Sequence, residues 1–70
     1  MRTASDVLTN PKPGDVVRCE TQWRPAIFEV SEISDRCVVA VVNGMSCKFE
    51  YELSQWREWF RGAEVVHVAD

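Results

Sequence analysis

Apolar side chains recur at every second position along much of this chain, which is the spacing of strands with one covered face. Over 15–22, Val17 and Cys19 fall on one side and Arg18 and Glu20 on the other. Trp23-Arg24-Pro25 interrupts the pattern, because proline lacks a ladder donor and restricts the residue before it. Alternation resumes over 26–33, where Phe28 and Val30 oppose Glu29 and Ser31, and Ser34-Asp35 is a turn signal. Six consecutive apolar residues then fill 37–42, as in a central strand covered on both faces. Asn43-Gly44, a strong hairpin signal, follows them. Met45, Cys47, Phe49, Tyr51 and Leu53 then alternate with Ser46, Lys48, Glu50 and Glu52. Ser54 is suited to cap a short helix over 55–61 ending at Gly62, with Leu53, Trp56 and Phe60 on one stripe. A last strand is predicted over 64–68. Residues 1–13, with little periodicity, read as a flexible arm before a turn at Pro13-Gly14-Asp15. A helical turn over 5–8 capped by Ser5 is compatible with that arm. Met45, Phe49, Leu53, Trp56 and Phe60 also fit one longer helix. The Asn43-Gly44 turn and the β-forming Phe49-Glu50-Tyr51 segment favour the strand.

A two-residue turn at Asn43-Gly44 makes Val42 face Met45, Ala40 face Cys47, and Val38 face Phe49. Directly opposed residues share a sheet face, so these six form the predicted core side. On the other face Cys37, Val39 and Val41 stand against Glu50, Lys48 and Ser46. That apolar strip requires a cover: the helix over 55–61, the arm, a bend that closes a barrel, or a second copy of the chain. The preceding turn sets the parity of Phe28 and Val30. Two turn residues place them with Val39 and Val41, whereas three residues or a bulge place them in the main core. The bulged version is favoured.

Composition narrows the class. Eleven valines and two isoleucines stand against two leucines and five alanines, a bias towards pleated surfaces. With 70 residues, 46% of them hydrophobic and 27% charged, the chain makes one small globular domain, placed at 14–70. No apolar run approaches the roughly 20 residues that span a bilayer, and the N-terminus lacks an apolar signal core. A cytoplasmic protein is therefore expected. Eight basic against eleven acidic residues give a net charge of -3, which disfavours phosphate-driven binding of nucleic acid.

Pro13-Gly14-Asp15-Val16-Val17 ahead of a first strand, followed by three strands, a short helix and a fifth strand reaching Val68, resembles the SH3-like small barrels of KOW, Tudor and related modules. The resemblance covers about residues 13–68. It implies a five-stranded SH3-like barrel, or a strongly bent antiparallel sheet, with one short helix before the last strand. It implies no activity, because such barrels host unrelated functions. Tyr51 is the one tyrosine, so the paired tyrosines of a proline-peptide groove are missing, and no aromatic cage can be placed.

Catalytic and metal-binding readings are weak. Cys19, Cys37, Cys47 and His67 make up a Cys₃His set by number, but no C-x₂-C pair is present. Reduced cysteines filling a small core are expected instead. His67 has no nucleophile or orienting carboxylate in a recognisable pattern, so a solvent-facing strand histidine is expected and the chain is not read as an enzyme. No cofactor is implied. The tryptophans carry the sharper signal, because Trp and Arg are enriched where proteins bind one another. Trp56 is assigned to the core. Trp23 and Arg24, in a loop, and Arg57, Trp59 and Arg61, beside the helical stripe, are the candidate partner contacts. Cys37, Val39 and Val41 are the candidate self-association face. A small interaction module that binds a protein or itself is the leading expectation. The alternative is a nucleic-acid-associated barrel that stacks bases on exposed tryptophan.

Overall fold

The computed structural model describes residues 2–20, 24–43 and 48–69. Along the chain these form α1 (Ala4–Thr9), β1 (Val16–Cys19), β2 (Ala26–Ser34), β3 (Cys37–Val42), β4 (Lys48–Glu52), α2 (Leu53–Trp59) and β5 (Glu64–His67). All strands join one antiparallel sheet in the order β4-β3-β2-β1-β5. The valine-rich alternation thus yields the mostly β architecture expected of it. Among the described residues no ladder joins β4 to β5, so the sheet has two open edges and does not close into a barrel. Two helices are present where one was expected. Residues 48–52 are strand, which removes the single long helix through Phe49 and Phe60.

The turns explain the register. Asp15 N–H donates to the Lys12 carbonyl at 3.0 Å, and Gly14 has φ of 98°. Proline followed by a left-handed glycine is the signature of a type II turn, as Pro13-Gly14 suggested. Between β2 and β3 the turn is Asp35-Arg36, one residue later than expected, with φ of 46° and 71°. Both central residues are left-handed, which matches the strand twist in a type I′ hairpin. A bulge between Val30 and Glu32 then restores the parity, so Phe28 faces Val42 and Val30 faces Ala40. These residues share the core side, as the bulged reading required.

The β3–β4 register corrects another expectation. Val38 pairs with Tyr51 and Ala40 with Phe49, two residues beyond the predicted partners. Asn43 is bonded back to β2: its N–H donates to the Ile27 carbonyl at 2.6 Å, and its Oδ1 accepts from Ile27 N–H at 2.8 Å. A slip of two leaves every side chain on its expected face, because the strand period is two. The placements of Met45 and Cys47 lie outside the described residues.

Both helices lie on the same face of the sheet. Val7 of α1, Val17, Val30, Val38 and Ala40 of the strands, and Trp56 and Phe60 form one buried cluster. The Phe60 ring meets Phe28, Tyr51 and Trp56 at centroid distances of 5.0, 5.6 and 4.1 Å. Inside this layer, Trp56 Nε1 donates to the Val7 carbonyl at 3.1 Å and ties the helices together. The cap residues differ from those predicted. Thr3, in place of Ser5, caps α1, exchanging hydrogen bonds with Asp6. In α2, Glu52 is the extended cap residue and its N–H donates to Gln55 Oε1 at 3.0 Å, so the helix starts directly from β4 instead of after Ser54.

The stretch read as an arm carries α1, with Val7 fully buried, and is fastened by Asp15. The Asp15 carboxylate is fully buried and accepts four hydrogen bonds, each 2.7 Å. Two come from the Arg2 guanidinium, one from Lys12 N–H and one from Ala69 N–H. Burial pushes this carboxyl up, but Arg2 and the two backbone donors outweigh it and hold the group below the usual carboxylate range. Among the described residues no buried side-chain nitrogen or oxygen lacks a partner.

Candidate contact surface

The helix α2 delivers its residues to different places. Trp56 points into the core, as expected, whereas Trp59, on the last position of the helix, is 73% exposed. Trp59 and Arg61 border a depression of about 350 Å³ together with Arg18, Cys19, Glu20 and Glu64. Arg18 and Glu64 meet because β1 pairs with β5: their side chains form an ion pair at 3.1 Å, and Arg18 also reaches Glu20 at 3.4 Å. Among the described residues Arg61 forms no ion pair. The depression is therefore an apolar indole ringed by mixed charge, in which Arg61 has no ion-pair partner among the described residues.

Arg57 is placed differently. Its Nε donates to the Thr9 carbonyl at 2.7 Å and its Nη2 to Asn10 Oδ1 at 3.2 Å. The side chain clamps the end of α1 to α2 and, with Arg61, lines a groove of about 520 Å³ between the helices. Arg24 is exposed next to the start of β2, while Trp23 lies outside the described residues. In sequence Trp23 stands three residues after Glu20, which borders the Trp59 depression. Arg18, Glu20 and Glu64 were not singled out from the sequence. Their joint position depends on pairing the first strand with the last, a contact for which local alternation carries no signal.

The strip of Cys37, Val39 and Val41 lies on the face away from the helices, as the alternation predicted, and α2 does not cover it. Val39, between Glu32 and Glu50 in the ladder, is nevertheless only 7% exposed, and its two neighbours are half-buried. That leaves a narrower apolar surface than three consecutive outward positions imply.

Cys19 and Cys37 are free thiols, and burial pushes the Cys19 thiol up, which suits a filler of the core rather than a nucleophile. His67 is exposed on β5 opposite Val16. Among the described residues no group of three His, Cys, Asp or Glu is arranged to hold a metal ion. None of the described helices is long and apolar enough to cross a membrane. In comparisons with known proteins, the chain matches no family model, no curated protein and no solved structure.

Proposed function

We propose that this chain is a non-enzymatic interaction module of SH3-like architecture, working in the cytoplasm, that binds a protein partner through the Trp59 end of the molecule. The observation that carries the reading is the 73% exposure of Trp59 beside Arg61, which forms no ion pair among the described residues. An indole left in water forfeits the burial energy that the other aromatic residues of α2 gain, and a partner restores it. Arg24, exposed beside the start of β2, and Trp23, its neighbour in sequence, are proposed as further contacts. The strand order, with a helix between the fourth and fifth strands, supports the architecture. Two free cysteines fit a reducing compartment.

A protein is favoured over a nucleic acid because Glu20, Glu58 and Glu64 stand around Trp59 and outnumber the nearby Arg18 and Arg61. The test is selection from a random displayed-peptide library, followed by affinity measurement on folded wild-type and Trp59→Ala proteins. Peptides that bind the wild type and lose about tenfold or more in affinity to the variant are expected. Binders indifferent to Trp59, or fluorescent oligothymidylate retained at low salt and released as salt rises, would replace this reading.

A further inference from the structure

β4 lies at one edge of the sheet, with β3 as its only strand partner among the described residues. Leu53 N–H donates to the Arg36 carbonyl at 2.7 Å, in step with the β3–β4 register. Antiparallel ladders alternate bonded and non-bonded pairs, so Val38/Tyr51 and Ala40/Phe49 are the bonded pairs. The backbone groups of Lys48, Glu50 and Glu52 consequently point away from β3. Glu52 N–H is occupied by Gln55. The N–H groups and carbonyls of Lys48 and Glu50 remain on the outer edge, whereas the Glu52 carbonyl, at the cap position of α2, accepts the first bond of that helix. Among the described residues β4 touches only β3 and α2, and α2 lies on the core face.

The side chains of the same strand add a second, independent pattern. Its sequence is Lys48-Phe49-Glu50-Tyr51-Glu52. Laid antiparallel on a second copy with Glu50 at the two-fold axis, Lys48 faces the other copy's Glu52, and Phe49 faces its Tyr51. The outward-pointing backbone groups are then the ones that meet. Glu50 exchanges two hydrogen bonds with Glu50 of the other copy, and the Lys48 and Glu52 side chains meet as opposite charges on either side of them. Phe49, on the core side by register yet 48% exposed, gains an aromatic cover in a non-bonded pair, where side chains approach most closely. A slip of one residue would put the helices of the two copies on opposite faces and set Phe49 against glutamate. The register around Glu50 also matches all five residues of the strand.

We infer that the chain self-associates through antiparallel β4–β4 pairing, giving a continuous ten-stranded sheet with both helical layers on one side. This surface is separate from the Trp59 depression and from the Cys37/Val39/Val41 strip. The like-charged Glu50 pair at the axis keeps the association weak and adjustable.

Sedimentation equilibrium over a range of concentrations tests it, with far-ultraviolet circular dichroism to verify folding of every variant. The wild type is expected to move from 8.0 kDa towards twice that mass. Lys48→Glu and Glu52→Lys alone should each weaken dimerisation by about tenfold or more, and the double exchange should restore it to within about threefold. Glu50→Gln should tighten it, and Trp59→Ala should leave it unchanged. A monomer at every concentration, or a dimer indifferent to the charge exchanges, overturns the proposal. Rescue of Lys48→Glu by Glu50→Lys instead of Glu52→Lys overturns the register.

Discussion

Asp15 shows how much one side chain can organise in so small a protein. Its carboxylate is buried, and its burial is tolerable only because four donors surround it. Asp15→Ala would leave Arg2 and two backbone N–H groups without their acceptor, and a loss of about 3–5 kcal/mol in urea-induced unfolding is expected. The same group sets an acid limit. Its folded pKa lies below its unfolded value, so its stabilisation is present above the unfolded pKa of about 4 and is lost as pH falls through the folded one. Melting temperature should therefore drop below about pH 4, and this part of the drop should vanish in Asp15→Asn. The two helix tryptophans make the opposite comparison. Trp56→Ala should cost about 3–5 kcal/mol, whereas Trp59→Ala should stay within about 0.5 kcal/mol, both by equilibrium denaturation. Near-identical residues three positions apart thus separate stability from binding.

At the level of elements, the strands were legible because alternation is a local property. β3 matched its predicted bounds, and the faces of β3 and β4 survived an error of two in register, since parity alone decides them. The places where local reading failed are those where a distant group took over. Asn43 looked like half of a tight hairpin turn but is bonded to Ile27 on β2. Ser54 looked like a cap, yet Gln55 had already fixed the helix start at Glu52. The position of the Asp35-Arg36 turn was hidden for another reason: Asp35 readily takes the left-handed conformation, but Arg36 does not advertise it. Arg36, at φ of 71°, carries a Cβ cost that glycine does not. Arg36→Gly should accordingly stabilise the hairpin by about 0.5–1 kcal/mol, read from the shift in denaturation midpoint. The candidate site was legible only residue by residue. Trp59 and Arg61 could be named from their composition and spacing, but Arg18 and Glu64 join them through the β1–β5 ladder.

For the molecule as a whole, the sheet has one face covered by helices and one on which glutamates flank the Cys37/Val39/Val41 strip. On the covered side, α1 supplies Val7 to the core and the carbonyl that satisfies the Trp56 indole. Removing residues 1–10 should therefore uncover Trp56 and release Asp15 from Arg2. Loss of the cooperative thermal transition, followed by near-ultraviolet circular dichroism, is the expected outcome. A truncated chain that melts like the intact one would show that the sheet and α2 suffice. The β4 edge adds a level above this, because an open sheet of five strands is also half of a larger one.

The hydrogen bond between Asp15 and Ala69 also bears on the order in which the protein is made. During synthesis Arg2, Asp15 and the β1–β2 hairpin leave the ribosome before β5 and Ala69. Until Ala69 clears the exit tunnel, the buried carboxylate lacks one donor and β1 lacks its pairing with β5. The domain therefore completes its packing only once Ala69 is exposed, and a nascent chain stalled before residue 69 should remain protease-sensitive.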